Sequence, residues 1–328
     1  MRTAGESGQG AGRWVLGVDS GGSGLRVAVA RVDDPAHPVT VASRVPVRTS
    51  AAGIDPAHMI EQLLPMAREL LASTEGPALS AVVVGAAGMA TLGDGLRAEL
   101  PRALGRELGV GRIALAGDAV TAYAGALGQR PGAVVAAGTG LIALGTDLES
   151  WRRADGWGHL LGDSGGGAWI GRAGLDAAMR AFDGRRGGST ALLALAEERF
   201  GPAGGLPGQI YPRTDRPAAL ASFAPDVARC AGDDPAAAGI LREAAARIAE
   251  SAAAVCPAGG GEVALTGGLF KTGEPLLAPL RAELAEQLPD ATVVTASGDP
   301  LHGSLVIAAA LAAEELRLPQ DGRLLYVP

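Results

Sequence analysis

Apolar residues occur along this chain in short runs that glycine-rich turns separate. The runs at 14–19 and 25–32 flank a Gly/Ser turn and predict a β-hairpin. Residues 58–71 instead carry apolar side chains at helical spacing. Continuous apolar runs at 81–85 and 113–116 are typical of strands that are buried on both faces. The other elements predicted for this part of the chain are a strand at 39–47 and a helix at 94–108.

The second half of the chain repeats this pattern. Strands predicted at 133–137 and 141–146 flank a glycine turn, as the strands within 14–32 do, and each turn holds a small hydroxyl residue. This duplication predicts two α/β domains that face one another across a cleft. The other elements predicted for this half are helices at 168–181, 189–199, 217–230, 235–255, 275–287 and 303–315 and strands at 263–265 and 292–295.

Composition and element order predict the domain boundaries. Residues 1–13 are rich in glycine and polar residues, so they are expected to form a disordered tail. An N-terminal domain is expected at 14–128 and a C-terminal domain at 129–300, with a helix at 301–316 that packs back on the first domain. The chain has 328 residues and 48% hydrophobic content, which is enough for a large buried core.

The charge balance argues against nonspecific binding of nucleic acid. The chain has 35 acidic and 28 basic residues and a net charge of −7, so it has no global field that attracts polyanions. Its two cysteines, Cys230 and Cys256, are too few for a disulfide framework and are expected to be unpaired core residues. Residues 1–13 contain no apolar signal-peptide core, and no apolar run reaches the ~18 residues that a membrane span needs. We therefore expect a soluble, cytoplasmic protein without a membrane partner.

The first turn, at 19–24, has the composition of an anion-binding loop. Gly21 and Gly22 let backbone N–H groups surround an anion, and Ser23 adds a hydroxyl donor. Asp19 ends the preceding strand and could hold a hydrated Mg²⁺ beside phosphates. Taken alone, the same residues also suit an ordinary glycine-rich hairpin.

The second turn, Gly138-Thr139-Gly140, repeats the arrangement of a strand, a tight turn with a hydroxyl, and a strand. Two such hairpins could hold a triphosphate from opposite sides, and their matching context argues against coincidence. The chain has no G-x-x-x-x-G-K-[ST] sequence, and its first turn does not fit G-x-G-x-x-G. The sequence therefore excludes a P-loop and disfavours a Rossmann dinucleotide site.

Asp118 lies where a predicted strand runs into a predicted helix. A carboxylate at this place can cap the helix N-terminus. It can also act as a general base that deprotonates a substrate hydroxyl, which contributes about 10²- to 10⁴-fold in rate. Phosphoryl transfer needs little more from a protein than such a base, positioning and charge neutralisation.

The glycine-rich segment 156–171 has a composition that suits a sugar. Trp157 lies between Gly156 and Gly158, and Asp163 follows shortly after. An aromatic ring can stack on a sugar, and a carboxylate can accept two of its hydroxyls, although a structural Trp and a turn Asp are the alternative. His159 is expected to be a packed, hydrogen-bonded ring.

Gly267 and Gly268 end the strand predicted at 263–265, and Thr272 follows them. A glycine pair at this place leaves a flat surface on which an adenine or a ribose could lie. An ordinary strand-to-helix turn would have the same composition.

Taken together, five strings of this sequence resemble those of the BadF/BadG/BcrA/BcrD-type ATPase family, and most closely its N-acetylglucosamine kinase branch. They are VLGVDSGGSG, GDAVTAYAG, AAGTGL, GWGHLLGDSGGGAWIGRAGL and LTGGLFKTG. The resemblance covers roughly 14–315. It implies two actin-like (ribonuclease H-like) α/β domains of the ASKHA class that close on a sugar. It also implies transfer of the ATP γ-phosphoryl group to the sugar 6-hydroxyl with Mg²⁺, and commonly a homodimer.

The same resemblance implies roles for single residues. Ser23 falls at the position that Thr usually holds in the first phosphate motif, and Thr139 matches the hydroxyl residue of the second. Asp118 matches the catalytic base, which also contacts the sugar. The other matches are the sugar-contacting Gly156, Trp157 and Asp163 and the nucleotide-side Gly268 and Thr272.

The chain departs from the family pattern at the sugar side. The family usually places an Asn five residues before a Gly in the loop after the third strand, whereas Arg48 precedes Gly53 in this chain, which contains no Asn. The family string D-E-G-S reads D-S-G-G from Asp163, so its Glu is absent. Arg48 either favours a sugar with an acidic group, such as a muramic-acid type, or is simply exposed to solvent.

The expected substrate is N-acetylglucosamine, with glucosamine and N-acetylmuramic acid as alternatives. The same ATPase family includes iron–sulfur activators of acyl-CoA dehydratases, which use cysteines from two protomers. Cys230 and Cys256 both follow the glycine-rich segment 156–171, far from the positions at which the activators carry their cysteines. A non-catalytic sugar sensor is the other alternative. The presence of Asp19, Asp118, Thr139 and Asp163 argues against it, because these residues suit catalysis.

Overall fold

The fold comes from a computed structural model of the chain. It describes residues 13–22, 24–50, 53–74 and 78–328, so the predicted tail lies outside the described residues except for Arg13. The chain divides into two compact units. Unit 1 consists of 13–129 and 297–328, and unit 2 consists of 130–296. The first division falls between Gln129 and Arg130, and the second falls before Ser297.

The described residues form short strands and helices in both units. In chain order, the strands are Trp14–Gly21 (β1), Gly24–Arg31 (β2), Asp34–Ser43 (β3), Thr49–Ser50 (β4), Gly53–Ile54 (β5), Leu79–Ala86 (β6), Ile113–Gly117 (β7), Gly132–Ala137 (β8), Leu141–Thr146 (β9), Trp151–Asp155 (β10), Gly261–Thr266 (β11), Ala291–Thr295 (β12) and Leu325–Tyr326 (β13). The helices are Pro56–Ser73 (α1), Met89–Leu92 (α2), Asp94–Leu108 (α3), Asp118–Leu127 (α4), Gly167–Phe182 (α5), Thr190–Phe200 (α6), Leu206–Ile210 (α7), Arg216–Ala221 (α8), Ala224–Cys230 (α9), Pro235–Val255 (α10), Glu274–Gln287 (α11) and Pro300–Ala313 (α12). Short 3₁₀ turns cover Ala203–Gly205 and Gly268–Thr272. Among these helices, none combines the length and the apolar character that crossing a membrane requires.

Unit 1 is built on one mixed sheet with the strand order β13-β7-β6-β1-β2-β3. Strands β1, β2 and β3 form an antiparallel meander, and β6 and β7 extend the sheet in parallel from β1. Leu16 and Val18 of β1 pack into a core cluster with α1 and α3. Gly17, on the other face of the same strand, lies against Ser304 of α12. Both faces of β1 are therefore covered, which explains its continuous apolar run.

Helix α12 belongs to unit 1 although it comes late in the sequence. Asp299 caps it by accepting a hydrogen bond from the His302 N–H at 2.9 Å. The helix packs on α4 and β1. At the closest point, a Cβ on Gly303 would lie only 1.9 Å from the Thr121 carbonyl oxygen, so no larger residue fits. This packing places Asp299 in the same unit as β1 and β2.

Unit 2 has a second mixed sheet with the strand order β10-β9-β8-β11-β12. Strands β8, β9 and β10 form an antiparallel meander, and β11 and β12 extend the sheet in parallel from β8. The order and directions repeat those of β3-β2-β1-β6-β7 strand for strand. The core of unit 2 joins this sheet to its helices through residues such as Val135, Ile170, Ile248 and Leu280. The duplication that two hairpins suggested therefore extends to five strands in each unit.

Most predicted elements lie within three residues of those in the structure. Two differ more, and β10 is among the short elements that were not predicted. The strand predicted at 39–47 is β3, which begins earlier because an edge strand tolerates Pro35 and Pro38. The single helix predicted at 217–230 is wrong, since the chain forms α8 and α9 there. Strand β10 is absent from the predictions because Arg152 and Arg153 interrupt its apolar pattern.

Candidate active site

Two predicted acidic residues lie at one edge of the unit 1 sheet. Asp19 lies near the carboxyl end of β1, and Asp118 begins α4 directly after β7. The register places Asp19 beside Gly85 of β6, and Gly85 beside Ala116 of β7. Two strand spacings, roughly 10 Å, therefore separate β1 from β7, the strand that leads into Asp118. The carboxyl ends of parallel strands are where α/β sheets usually bind their ligands.

Asp19 is held by Arg26, its cross-strand partner in β2. Arg26 donates to Asp19 Oδ2 from Nη2 at 2.7 Å and from Nε at 3.0 Å, and its Nη1 donates to Asp299 Oδ2 at 2.5 Å. Burial works to raise the pKa of Asp299. The His302 N–H and Arg26 outweigh burial, so this pKa lies below its ordinary value. One guanidinium thus joins two carboxylates that are far apart in the sequence.

Asp118 presents an exposed side chain at the end of a rigid junction. Strand β7 before it is buried throughout, and so is α4 from Ala119 to Leu127. Asp118 Oδ1 accepts a hydrogen bond from the Ala119 N–H at 2.9 Å, and its carbonyl accepts one from Thr121 Oγ1 at 3.0 Å. The carboxylate therefore has a fixed base and access to solvent, as both a helix cap and a general base require.

The other predicted residues of unit 1 are the turn glycines and Arg48. A Cβ built on Gly21 or Gly22 would meet no heavy atom of the described residues within 4 Å, so the turn is open to a ligand. Ser23, between them and β2, lies outside the described residues. Arg48 is 66% exposed, and its Nε is 3.6 Å from Asp55 Oδ2. Since Asp55 caps α1, Arg48 lies at the N-terminus of that helix.

In unit 2 the second glycine turn lies against the N-terminus of α5. The carbonyl oxygens of Gly138 and Thr139 accept hydrogen bonds from the N–H groups of Gly167 at 2.9 Å and Ala168 at 2.8 Å. The first N–H groups of a helix have no partner within the helix. The turn therefore provides acceptors for the first N–H groups of α5, and these hydrogen bonds fix the turn in place. Thr139 is exposed.

The segment predicted to lie near the nucleotide ends the neighbouring strand. Strands β8 and β11 run parallel, with Thr266 opposite Ala136. Gly267 has φ 106°, and a Cβ there would lie 2.2 Å from the carbonyl oxygen of Ala137, so the position requires glycine. Gly268 and Thr272 begin and end the 3₁₀ turn that follows. The two predicted ATP-binding segments of unit 2 therefore lie side by side at one sheet edge.

The Asp163 carboxylate lies against the same glycine turn. A Cβ on Gly140 would lie 2.3 Å from Asp163 Oδ2, and the Gly158 N–H donates to Oδ1 at 2.9 Å. Burial raises the pKa of Asp163, the Gly158 hydrogen bond opposes that rise, and the charge of Asp155 adds to it. The structure thus brings a residue predicted to bind sugar next to one predicted to bind ATP.

Asp155 anchors the loop that carries Asp163. Its Oδ1 accepts a hydrogen bond from the Asp163 N–H at 2.5 Å, and its Oδ2 accepts one from the Ser164 N–H at 2.8 Å. Asp155 is the last residue of β10 and has φ 60°. The carboxylate at the start of the loop therefore holds the end of the loop.

Trp157 is 62% exposed, and Arg153 covers one face of its ring. The Arg153 Cζ lies 4.4 Å from the ring centre, within cation–π range, and Arg153 Nη2 donates to the Gly156 carbonyl at 2.5 Å. The ring lines a cavity of about 380 Å³ together with Asp155, Ser164 and residues of α10. The Trp157 ring and the Asp163 carboxylate, which faces Gly140, therefore have different surroundings.

His159 was expected to be hydrogen-bonded, but its Nε2 atom makes no hydrogen bond to the described residues. That nitrogen is buried and has no partner in the described part of the chain. The ring lines a cavity of about 470 Å³ in unit 2, together with Arg172 and Arg216. Among the described residues, the expected hydrogen bond of His159 is therefore not made through this nitrogen.

Cys230 and Cys256 are both free, as predicted. Cys256 is buried at the end of α10, and Cys230 is partly buried at the end of α9. Burial raises the pKa of both thiols.

Three charged residues of these arrangements were missed in the sequence. Arg26 follows Asp19 across a tight hairpin turn, and residues at this spacing in such a hairpin face each other on neighbouring strands. Asp299 stands directly before Pro300, a combination typical of a helix start. Asp155 has no such sign, because its role depends on a loop that returns to it.

The segments that form both sheet edges match a known family of proteins. A family model described as the BadF/BadG/BcrA/BcrD ATPase family matches residues 16–312. The chain belongs to this family. The predicted resemblance is thereby confirmed, and the match covers the sheet edges of both units.

Two relatives of this chain carry sugar kinase names. An N-acetylmuramic acid/N-acetylglucosamine kinase of Clostridium acetobutylicum is 31% identical over 182 residues, which is 55% of this chain and 58% of that protein. The match thus spans little more than half of that relative. A solved structure from Chromobacterium violaceum, provisionally named an N-acetylglucosamine kinase, has TM-score 0.70 and 27% identity and covers 92% of this chain and 99% of its own.

A more distant structure shares the fold alone. The ROK hexokinase of Thermus thermophilus has TM-score 0.55 at 19% identity and covers 91% of this chain and 98% of its own. Together with the repeated strand order, these structures confirm the predicted actin-like α/β fold class.

Proposed function

We propose that this protein is an ATP-dependent sugar kinase that phosphorylates the 6-hydroxyl of an amino sugar, with N-acetylglucosamine as the expected substrate. The observation that carries the proposal is the Asp163 carboxylate held against Gly140 of the second glycine turn. A carboxylate with a fixed backbone can accept hydroxyls of a sugar. The adjacent turn has the open backbone that suits a phosphate. The names of the Clostridium acetobutylicum and Chromobacterium violaceum relatives support the same interpretation.

Both glycine turns have a composition that suits the binding of a nucleotide. Gly21, Gly22 and Ser23 in unit 1 and the 138–140 turn in unit 2 would offer N–H and hydroxyl donors to its phosphates. Gly267, Gly268 and Thr272 would lie near its adenosine part. Support for this assignment within unit 2 comes from the parallel pairing of β8 with β11, which sets the two segments side by side.

Asp118 would act as the general base. Its exposed carboxylate on a buried junction can meet a substrate hydroxyl without rearrangement of the backbone. Deprotonation of the 6-hydroxyl during attack on the γ-phosphorus is the step that this residue would assist. Gly156 and Trp157 would contribute to the sugar side, Gly156 through its backbone and Trp157 through its exposed ring.

Asp19 is suited to accept a hydrogen bond from a water molecule that is bound to a magnesium ion. Both Arg26 hydrogen bonds to Asp19 end on Oδ2, so Arg26 does not engage Oδ1. Mg²⁺ usually keeps several waters and takes one or two carboxylates beside substrate phosphates. When bound, the ion would neutralise phosphate charge, and Asp19 Oδ1 would orient one of its waters.

A coupled ADP-release assay with Mg·ATP tests the proposal. The panel contains N-acetylglucosamine, glucosamine, N-acetylmuramic acid, N-acetylmannosamine and glucose. We expect selective turnover of one amino sugar and its loss in Asp118→Asn. A protein that binds ATP but turns over none of the five sugars would contradict the proposed activity.

Arg48 offers a test of which amino sugar is preferred. If its exposed guanidinium contacts an acidic sugar, Arg48→Ala should raise KM for N-acetylmuramic acid and leave KM for N-acetylglucosamine unchanged. Equal effects on both sugars would assign Arg48 to the α1 N-terminus alone, where it lies near Asp55. We further propose a cytoplasmic homodimer on the family resemblance, and light scattering of the purified protein tests the dimer.

A further inference from the structure

Asp155 has a backbone conformation that a residue with a side chain rarely adopts. Its φ of 60° lies in the left-handed region, and Gly156 follows with φ 73°. Asp tolerates this region better than most residues, but glycine is favoured there. Two successive left-handed residues turn the chain sharply out of β10 and into the 156–164 loop. A side chain at position 155 therefore calls for a reason other than the turn itself.

The Asp155 carboxylate supplies that reason, because it holds the far end of the loop. Each oxygen accepts one backbone N–H, from Asp163 at 2.5 Å and from Ser164 at 2.8 Å. The approach is close: a Cβ on Gly162 would lie 2.3 Å from Asp155 Oδ1. A carboxylate is needed for both bonds, since an asparagine has only one acceptor oxygen.

The same carboxylate places a negative charge near Asp163. The other groups that act on Asp163 are the His159 ring and the N–H groups of Gly158 and Leu141. Burial raises the pKa of Asp163, and the charge of Asp155 raises it further. A neutral residue at position 155 would not repel the Asp163 carboxylate. Asp155 therefore affects both the position and the pKa of Asp163.

We propose that Asp155 is a positioning residue of the sugar site. It fixes the backbone of Asp163 so that the Asp163 carboxylate stays against Gly140 and ready to accept sugar hydroxyls. The inference rests on the proposed sugar kinase function for its kinetic consequences, whereas the anchoring of the loop stands apart from any activity.

Two variants remove the anchor to different degrees. Asp155→Gly deletes the carboxylate and keeps a residue that favours φ 60°, so the turn itself is not strained. Asp155→Asn keeps one acceptor oxygen, and it serves as the second variant if the first does not fold. Asp147→Asn is the matched control: Asp147 also accepts two backbone N–H groups, from Glu149 and Ser150 at 2.9 Å each, at the opposite end of the same β9–β10 hairpin.

The first measurement is amide hydrogen exchange of the protein without ligands. Loss of hydrogen bonds to a charged acceptor should speed exchange of the Asp163 and Ser164 amides by about tenfold or more in Asp155→Gly. The Asp147→Asn control should leave both amides unchanged. Unchanged exchange in Asp155→Gly and Asp155→Asn would overturn the proposal.

The second measurement is steady-state kinetics of the same variants. In Asp155→Gly we expect KM for the sugar to rise by about tenfold or more, with KM for ATP within about twofold of wild type and the acidic limb of the kcat/KM profile at lower pH. A merely structural role would lower the melting temperature and leave KM for the sugar at the wild-type value, which would refute positioning. If the wild-type protein turns over no sugar, the proposed function fails, and the exchange result alone supports or refutes the anchor.

Discussion

Replacing Gly140 with alanine should displace the Asp163 carboxylate and little else. The added Cβ would lie 2.3 Å from Asp163 Oδ2 and 3.0 Å from its Cγ, whereas ordinary contacts of a Cβ are 3.4–4 Å. Gly140 has no left-handed φ, so alanine does not strain the backbone there. The carboxylate must therefore move by about 1 Å, since the turn is tied to α5 and cannot easily yield.

The size of the effect follows from this displacement. A misplacement of about 1 Å at a site that orients substrate costs about 10²-fold in rate, or about 2.7 kcal/mol in activation free energy. Because overpacking a partly exposed site can relax, we expect the free energy of unfolding to fall by only about 1 kcal/mol. Loss of activity should therefore greatly exceed loss of stability.

The ADP-release assay and urea unfolding of the same preparations test this expectation. Gly232→Ala is the matched control, because a Cβ there meets none of the described residues within 4 Å and its φ is not left-handed. We expect kcat/KM of Gly140→Ala to fall by about 10²-fold and that of Gly232→Ala to stay at the wild-type value. A Gly140→Ala enzyme with wild-type kcat/KM would refute the placement of Asp163 at the sugar.

Four further outcomes are expected. Asp118→Asn should keep the wild-type circular dichroism and melting temperature and lose about 10²- to 10⁴-fold in kcat; near wild-type turnover would remove Asp118 from the role of base. The folded-state pKa of Asp163 is raised, so its protonated form persists to higher pH than in a free aspartate. As pH is lowered, kcat/KM should therefore begin to fall above the ordinary pKa range of aspartate. An acidic limb of the kcat/KM profile at the ordinary aspartate pKa would contradict this expectation. Arg26→Met should lower the free energy of unfolding by about 1 kcal/mol, since its partner Asp299 is half exposed. The folded-state pKa of Asp299 is depressed. The part of this difference that comes from the Arg26–Asp299 pair should therefore be present at neutral pH and be lost as pH falls through that value in urea titrations. Gly303→Ala should prevent stable packing of α12, and a melting temperature equal to that of wild type would refute the close contact with α4.

The repeated architecture was predictable from the sequence only where apolar runs mark it. The hairpins β1–β2 and β8–β9 have buried strands on both sides of a glycine turn, so their periodicity is plain. Strand β10 is the counterpart of β3 in the second sheet, but it lies at a sheet edge and carries two arginines. An edge strand needs no apolar face, and a pattern based on burial therefore cannot find it.

The candidate site was likewise only partly predictable from the sequence. Asp19, Asp118 and Asp163 follow or precede recognisable turns, and their positions in the structure match those turns. The partners that hold them come from elsewhere: Asp299 reaches Arg26 only because α12 returns to unit 1, and Asp155 reaches the N–H groups it binds only because the loop closes. Contacts that depend on such returns are set by tertiary packing, which local pattern does not contain.

The split composition of unit 1 has a consequence for how the chain matures during synthesis. Unit 2 is continuous from 130 to 296, whereas unit 1 waits for α12 to cover the face of β1 that carries Gly17. At about 5–20 residues per second, the ribosome needs roughly 10–30 s to make the intervening segment. During that interval the first-made sheet presents an uncovered apolar face, so unit 2 can fold first and the oldest strands are completed last. We therefore expect the uncovered face of β1 to be a candidate chaperone-binding surface in the nascent chain until α12 emerges.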